Sequence, residues 1–241
     1  MIKPEDLAEP GSAPADKALL VFTRHAFRAA RELLQSAEKV KTPAPCWNAL
    51  LGEFKKVKVC VVGLHVGAPA SVLALELLIA GGAETFIAVG EAGAVHPSAR
   101  IGDVLLPSWG LREEGTSYHY VPPDHVPKPS TELFEALRSK VEELKSGKMK
   151  LLVGGVWSTD APFRETRDKV REYAARGVVG VDMESTALMC VAEYRGVELA
   201  VALAISDELH GVKWKPGFNA SELETAEALL VKAALAALTE K

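Results

Sequence analysis

One stretch of this chain constrains its fold more than any other. Residues 57–63 form a continuous run rich in β-branched valine, with Lys58 its one charged residue, the pattern of a strand buried on both faces. A glycine-rich turn follows, Gly63-Leu64-His65-Val66-Gly67-Ala68-Pro69. Pro69 suits the first turn of a helix, where its missing N–H would have no partner, and the spacing predicts a helix to about Ala80. Gly81-Gly82 stops that helix, and residues 85–89 form a second apolar strand ending in Gly90-Glu91-Ala92-Gly93. Strand, turn, helix, strand is a βαβ unit. It demands parallel strands, and it places its loops at their carboxyl ends, where open α/β sheets bind ligands.

The flanking sequence continues the alternation. Residues 19–22 are a short apolar strand. Residues 25–41 carry Ala26, Ala30, Leu33, Leu34 and Ala37 at a helical period, with Pro43 and Pro45 as the stop. A strand over 101–107 is entered through Gly102-Asp103, and 110–129 is a polar, aromatic loop. Residues 130–145 are an amphipathic helix capped by Ser130 or Thr131. Strands at 149–157, 178–181 and 197–205 alternate with helices at 163–176 and 184–195, and an amphipathic helix at 221–238 closes the chain. No repeat or linker interrupts it. The expectation is a single three-layer α/β domain over residues 17–241, a mixed central β-sheet flanked by helices. An extended, loosely held N-terminal arm over residues 1–16 precedes it.

Composition narrows the function classes. Hydrophobic residues are 48% of the 241 and charged residues 25%, so the chain can bury a core. A net charge of -4 argues against a dedicated nucleic-acid binder. The three cysteines are scattered with no CxxC, and the six histidines form no HxxxH, so neither a metal site nor a disulfide framework is expected. The first six residues lack the pattern of a signal peptide, and no apolar run approaches the ~20 residues that span a bilayer. A cytoplasmic protein without membrane partners is expected. Only Gln35, Asn48 and Asn219 carry side-chain amides, which points to a thermophilic source.

Four strand ends carry unusual residues: 63–69, 90–93, Asp182-Met183-Glu184 and Ser206-Asp207. Each glycine turn could simply reverse the chain, and each acid could simply cap a helix. The first turn is GxxxG, not GxGxxG, with no ribose-binding acid about 20 residues on, so a dinucleotide site is not supported. No phosphate-binding GxxxxGK[ST] occurs.

Taken together, these motifs resemble the purine nucleoside phosphorylase / uridine phosphorylase superfamily. Asp182-Met183-Glu184 is similar to its E-M-E after a strand, Gly67-Ala68-Pro69-Ala70-Ser71 to its GGPS helix start, and Ser158-Thr159-Asp160-Ala161-Pro162-Phe163 to its SSDAFY loop. Gly90–Gly93, Gly102-Asp103 and Ser206-Asp207 stand in the same order as their counterparts, and residues 112–120 resemble a uridine-phosphorylase-like branch. The resemblance covers about residues 17–238. It implies phosphorolysis of a nucleoside to free base and ribose 1-phosphate, with inorganic phosphate as co-substrate and no cofactor. It also implies a homo-oligomer, a dimer or a trimer of dimers.

The resemblance also implies roles. Glu184 would hold the ribose hydroxyls beside the developing oxocarbenium charge, Met183 would pack on the sugar, and Asp182 replaces the motif's first Glu. Asp207 would donate a proton to the leaving base, which Phe163 and Arg164 would help to bind. Arg28, with Arg24, would hold phosphate together with Glu91, Ala92 and Gly93. His119, which a strand would face opposite to Tyr118 and Tyr120, is a candidate for the ribose 5′ end of a neighbouring subunit's site or for the base pocket.

Departures from the pattern matter equally. The PGDPxR phosphate loop becomes Thr23-Arg24-His25-Ala26-Phe27-Arg28, and a second phosphate arginine becomes Ala88. Glu91 or Ala92 stands where a phosphate-contacting threonine is expected. The Gln and Arg that read uracil become Thr166 and Asp168, with Arg164 and Arg167 as possible substitutes. Purine and pyrimidine substrates both stay open. Two alternatives follow from Ala88 and Glu91: a nucleoside hydrolase using water, or a non-catalytic nucleoside-binding protein.

Overall fold

The computed structural model describes residues 2–240. Among these residues ten strands form one sheet: β1 (Lys17–Val21), β2 (Gln35–Lys39), β3 (Asn48–Phe54), β4 (Val57–Gly63), β5 (Thr85–Ala94), β6 (Val104–Glu113), β7 (Leu151–Thr159), β8 (Val178–Asp182), β9 (Glu198–Glu208) and β10 (Lys215–Pro216). Their order is β10-β9-β6-β7-β8-β5-β1-β4-β3-β2, and β5 also pairs with β9. Strands β5, β9, β6, β7 and β8 therefore close a ring, and β1 to β4 extend from it as an open wing. The sheet is mixed: β1 is parallel to β4 and β5, whereas β3 is antiparallel to β4 and β8 antiparallel to β5.

Among the described residues six α-helices flank the sheet: α1 (Arg24–Leu33), α2 (Ala68–Ala80), α3 (Thr131–Leu144), α4 (Arg167–Ala175), α5 (Ser185–Arg195) and α6 (Ser221–Thr239). On one face α2 and α5 pack Val72, Leu75, Leu78, Leu188 and Val191 against Leu20, Val62 and Phe86. On the other, α1, α3 and α6 pack Ala30, Leu137, Leu230 and Leu235 against Leu19, Val61 and Ile87. Alternate residues of β1 thus serve opposite cores, as a strand's two-residue period requires. This is the predicted three-layer domain, and the predicted βαβ unit is β4–α2–β5. Among the described residues no helix is long and apolar enough to cross a membrane.

Several boundaries differ from the sequence reading. The helix predicted over 25–41 ends at Leu33; Ser36 turns the chain with φ 52°, and residues 35–39 become edge strand β2. Strand β3 had no clear signal in the sequence. It pairs antiparallel with β4 along its whole length, and β2 in turn satisfies its other edge. Residues 90–93, expected as a turn, continue β5, because β8 and β9 both bond to this segment. Strand β6 runs on to Glu113, shortening the predicted loop. The arm is not loosely held: the N–H groups of Gly11 and Ala13 both donate to the Gly81 carbonyl, and Ala8 is buried.

Candidate active site

The carboxyl ends of β1, β5, β8 and β9 converge on a cavity of about 700 Å³. Its floor takes Phe22 and Thr23 after β1, Glu91 to Gly93 on β5, Asp182 to Glu184 after β8, and Ser206-Asp207 on β9. All four strand ends singled out in the sequence therefore line one space, the one after β4 through Val66.

Glu184 is fixed by backbone. Its Oε1 accepts the Gly67 N–H at 2.5 Å and its Oε2 the Met183 N–H at 3.2 Å. Gly67 can aim its N–H this way because it adopts φ 108°, a region costly for any residue with a Cβ. Burial, and then the neighbouring Asp182, push the Glu184 carboxyl up to about 8 despite these two donors. Asp182 has a different task. Its Oδ1 accepts Ser158 Oγ–H at 2.5 Å, and its Oδ2 accepts both the N–H (3.0 Å) and the hydroxyl of Ser185, the first residue of α5. Both oxygens are occupied in joining β7, β8 and α5. Burial raises its pKa.

Asp207 is aimed by an irregularity in the ladder. On β5, Ala92 pairs with Ile205 but Gly93 with Asp207, so Ser206 is an extra residue on β9. Gly93 leaves room for the result: a Cβ there would overlap Leu209 Cδ1 and lie 3.2 Å from Asp207 Oδ2. Asp207 Oδ1 accepts Ser206 Oγ–H and Oδ2 accepts the Trp214 indole N–H, each at 2.7 Å. Trp214 belongs to the loop after β9. With Val212 and Phe218 it forms an exposed apolar rim, and Phe163 faces the same mouth fully exposed.

The cavity is strongly acidic. Five of its lining residues carry carboxyls (Glu91, Glu165, Asp182, Glu184, Asp207), and Arg167 is its one lysine or arginine among the described residues. Burial, then the neighbouring Glu227 and Asp207, raise Glu91 to about 7. Burial, then Asp207, do the same to Glu165.

Not every predicted residue is brought here. Arg28 lies exposed on α1, outside the cavity. Arg24 is also exposed and lines a neighbouring depression with Phe22, Trp47, Asn48 and His65. Helix α1 starts at Arg24 with the Thr23 hydroxyl accepting the Ala26 N–H, and neither arginine lines the cavity. Arg164 is exposed outside the cavity wall. His119 sits on a 3-10 turn, Ser117–His119, not on a strand, and is exposed away from the cavity of its own chain. Thr166 caps α4, accepting the Lys169 N–H, so its neighbours Glu165 and Arg167 reach the cavity instead.

Sequence reasoning missed Glu165, Trp214 and Glu227. Glu227 had a readable signal: it is a lone acid on the apolar face of α6, between Leu223, Ala226 and Leu230. Trp214 and Glu165 had none, because both sit in irregular loops.

Comparison with known proteins yields a consistent group. The sequence model of the phosphorylase superfamily matches residues 17–239. A uridine phosphorylase of Thermococcus kodakarensis is 26% identical over 245 residues, 96% of this chain and 84% of that protein. A DeoD-type purine nucleoside phosphorylase of Clostridium novyi is 27% identical over 160 residues, 66% of this chain and 67% of its own length. The crystal structure of uridine phosphorylase from Vibrio fischeri superposes with a TM-score of 0.86 at 22% identity, covering 100% of this chain and 99% of that one.

Proposed function

The chain belongs to the phosphorylase superfamily, and from that premise we propose that it is a nucleoside phosphorylase, a pentosyltransferase that converts a nucleoside and inorganic phosphate into free base and ribose 1-phosphate. One observation carries the reading. Glu184 and Asp207, distant in sequence, line a single cavity whose rim offers Phe163, Trp214 and Phe218 to a flat base. The names of the relatives, uridine and purine nucleoside phosphorylases, support the same chemistry and leave the base open.

In this reading the ribose lies over Met183 with its hydroxyls at Glu184, which the Gly67 and Met183 amides hold in place. As the C1′–N bond breaks, the sugar gains positive charge and the acidic floor stabilises it. The base gains negative charge and takes a proton at the Asp207 end, where Trp214 must yield its hydrogen bond. Arg24 and Arg28 lie outside the cavity, so phosphate depends on Arg167 or on groups that a second subunit brings. We propose a homo-oligomer for that reason, and a cytoplasmic location from the nucleoside chemistry alone.

The test is base release from inosine, adenosine, guanosine and uridine, with and without phosphate. Phosphate-dependent release with ribose 1-phosphate as product is the expected result. Tight binding of nucleosides with no release under any condition would replace this reading by a binding protein.

A further inference from the structure

Met183 and Glu184 stand immediately before α5, and Glu184 is its N-cap residue. The place of the Glu184 carboxyl therefore depends on how the first turn of α5 is held. Asp182 takes the N–H and the hydroxyl of Ser185. A second buried acid, Glu114, takes the next residue: the Thr186 hydroxyl donates to Glu114 Oε1 at 3.1 Å, and the Thr186 N–H donates to Ser158 Oγ at 3.0 Å. Glu114 follows the end of β6, is only 1% exposed and does not line the cavity. It is itself fixed. Its Oε2 accepts the Ser117 N–H at 2.9 Å, and its Oε1 also accepts the Ser117 hydroxyl. Ser117 Oγ in turn accepts Arg112 Nε–H at 2.7 Å, and Arg112 Nη1 donates to the Pro122 carbonyl at 2.6 Å. An unbroken line of hydrogen bonds thus runs Arg112–Ser117–Glu114–Thr186–Ser158–Asp182. Buried networks of this kind, with every member satisfied, hold one geometry. Gly110 of β6 lets the helix start come this close, since a Cβ there would stand 2.5 Å from Thr186 Cγ2.

We propose that Glu114, acting through Thr186, is a positioning residue for the sugar site: it sets where Glu184 presents its carboxyl, and so how strongly the site prefers a ribose to a 2′-deoxyribose. The inference rests on the nucleoside reading above. Glu114 touches no substrate. It keeps the first turn of α5 seated on β6, so that Glu184 Oε1 stays on the Gly67 amide and Oε2 on the Met183 amide. Without the Thr186 donor that turn is held from the Asp182 side alone. A small shift of a positioning group lowers the rate out of proportion to the bond removed. The sugar hydroxyls register the shift first, because Glu184 holds them, whereas the base is served by Asp207 on β9 and by the loop that follows it.

The test is Thr186→Val. Valine keeps the shape and the methyl group against Gly110 but has no hydroxyl, and Glu114 retains both Ser117 donors. Base release is measured from inosine and uridine and from their 2′-deoxy counterparts, with phosphate. In Thr186→Val, kcat/KM for the ribonucleoside falls ~10-fold, and that for the 2′-deoxynucleoside falls less, so the preference for ribose shrinks. Thr186→Ser restores the hydroxyl and the preference. Glu114→Gln, which sets an NH₂ group against one of the three donors that Glu114 accepts, shrinks the preference independently. A purely structural contact would lower the melting temperature and scale both substrates alike. An unchanged ribose preference in Thr186→Val and Glu114→Gln, or a Thr186→Ser no better than Thr186→Val, overturns the proposal and leaves the phosphorylase reading standing. Base release from no nucleoside by the unsubstituted protein, with native circular dichroism, overturns both.

Discussion

A carboxylate acquires a role from the donors around it, and three acids of this cavity show how far apart those roles fall. Asp182 spends both oxygens on Ser158 and Ser185 and acts as a structural joint. Glu184 is held by two amides with its face to the cavity. Asp207 is tied to the Ser206 hydroxyl and to the Trp214 indole at the cavity mouth. If Asp207 supplies the base's proton, Asp207→Asn slows purine release ~100-fold, because proton transfer of this kind contributes on that order. Steady-state kinetics with inosine checks it, and an unchanged rate removes Asp207 from that role. The acids at 182, 184 and 207 were legible in the sequence because they end apolar strands. Their separate duties were not, because Ser158 and Trp214 reach them from other elements.

At the scale of elements, two joints hold the site. The turn before α2 depends on Gly67 at φ 108°, where a Cβ brings strain of about 1–3 kcal/mol. Gly67→Ala is expected to lower the melting temperature and to raise KM for the nucleoside, as the amide that fixes Glu184 shifts. Calorimetry and kinetics together test this. The second joint is α2 against α5, where Arg195 Nε and Nη2 donate to buried Glu76 at 2.6 and 2.9 Å. Arg195→Met strands that carboxylate and is expected to cost about 2 kcal/mol or more, allowing for the part-exposed arginine. The double change Glu76→Leu/Arg195→Met restores most of the loss, and urea unfolding measures both. Periodicity located both helices to within a residue or two. It misjudged α1 and missed β3, because pairing across the sheet, not local pattern, decides where an edge strand begins.

For the whole molecule, the acidic cavity couples function to stability. Glu91 and Glu165 titrate near 7 and Glu184 near 8 in the folded protein, against 4.5 ordinarily. Between those limits the folded state binds protons that the unfolded chain has released, so stability falls as pH rises from about 4.5 to 8. The melting temperature is expected to drop by several degrees between pH 5.5 and 8 (~5 °C). The drop should be shallower in Glu91→Gln/Glu165→Gln, and scanning calorimetry across that range decides it. An equal slope in the variant would show that these carboxyls are not the groups responsible.

What the sequence by itself determined is the frame: the β4–α2–β5 unit, the apolar strands, and the acids and glycines at their ends. These follow from local patterns, the two-residue and 3.6-residue periods and the special needs of glycine and proline, which a single chain displays openly. Only the tertiary structure decided the composition of the cavity. It turned Arg24 and Arg28 outward on α1, carried Glu227 in on α6, and laid Trp214 against Asp207. The reason is physical. Which way a side chain faces at a helix start, and which distant residue fills the space beside a strand end, depends on packing between elements up to 204 positions apart, as Thr23 and Glu227 are.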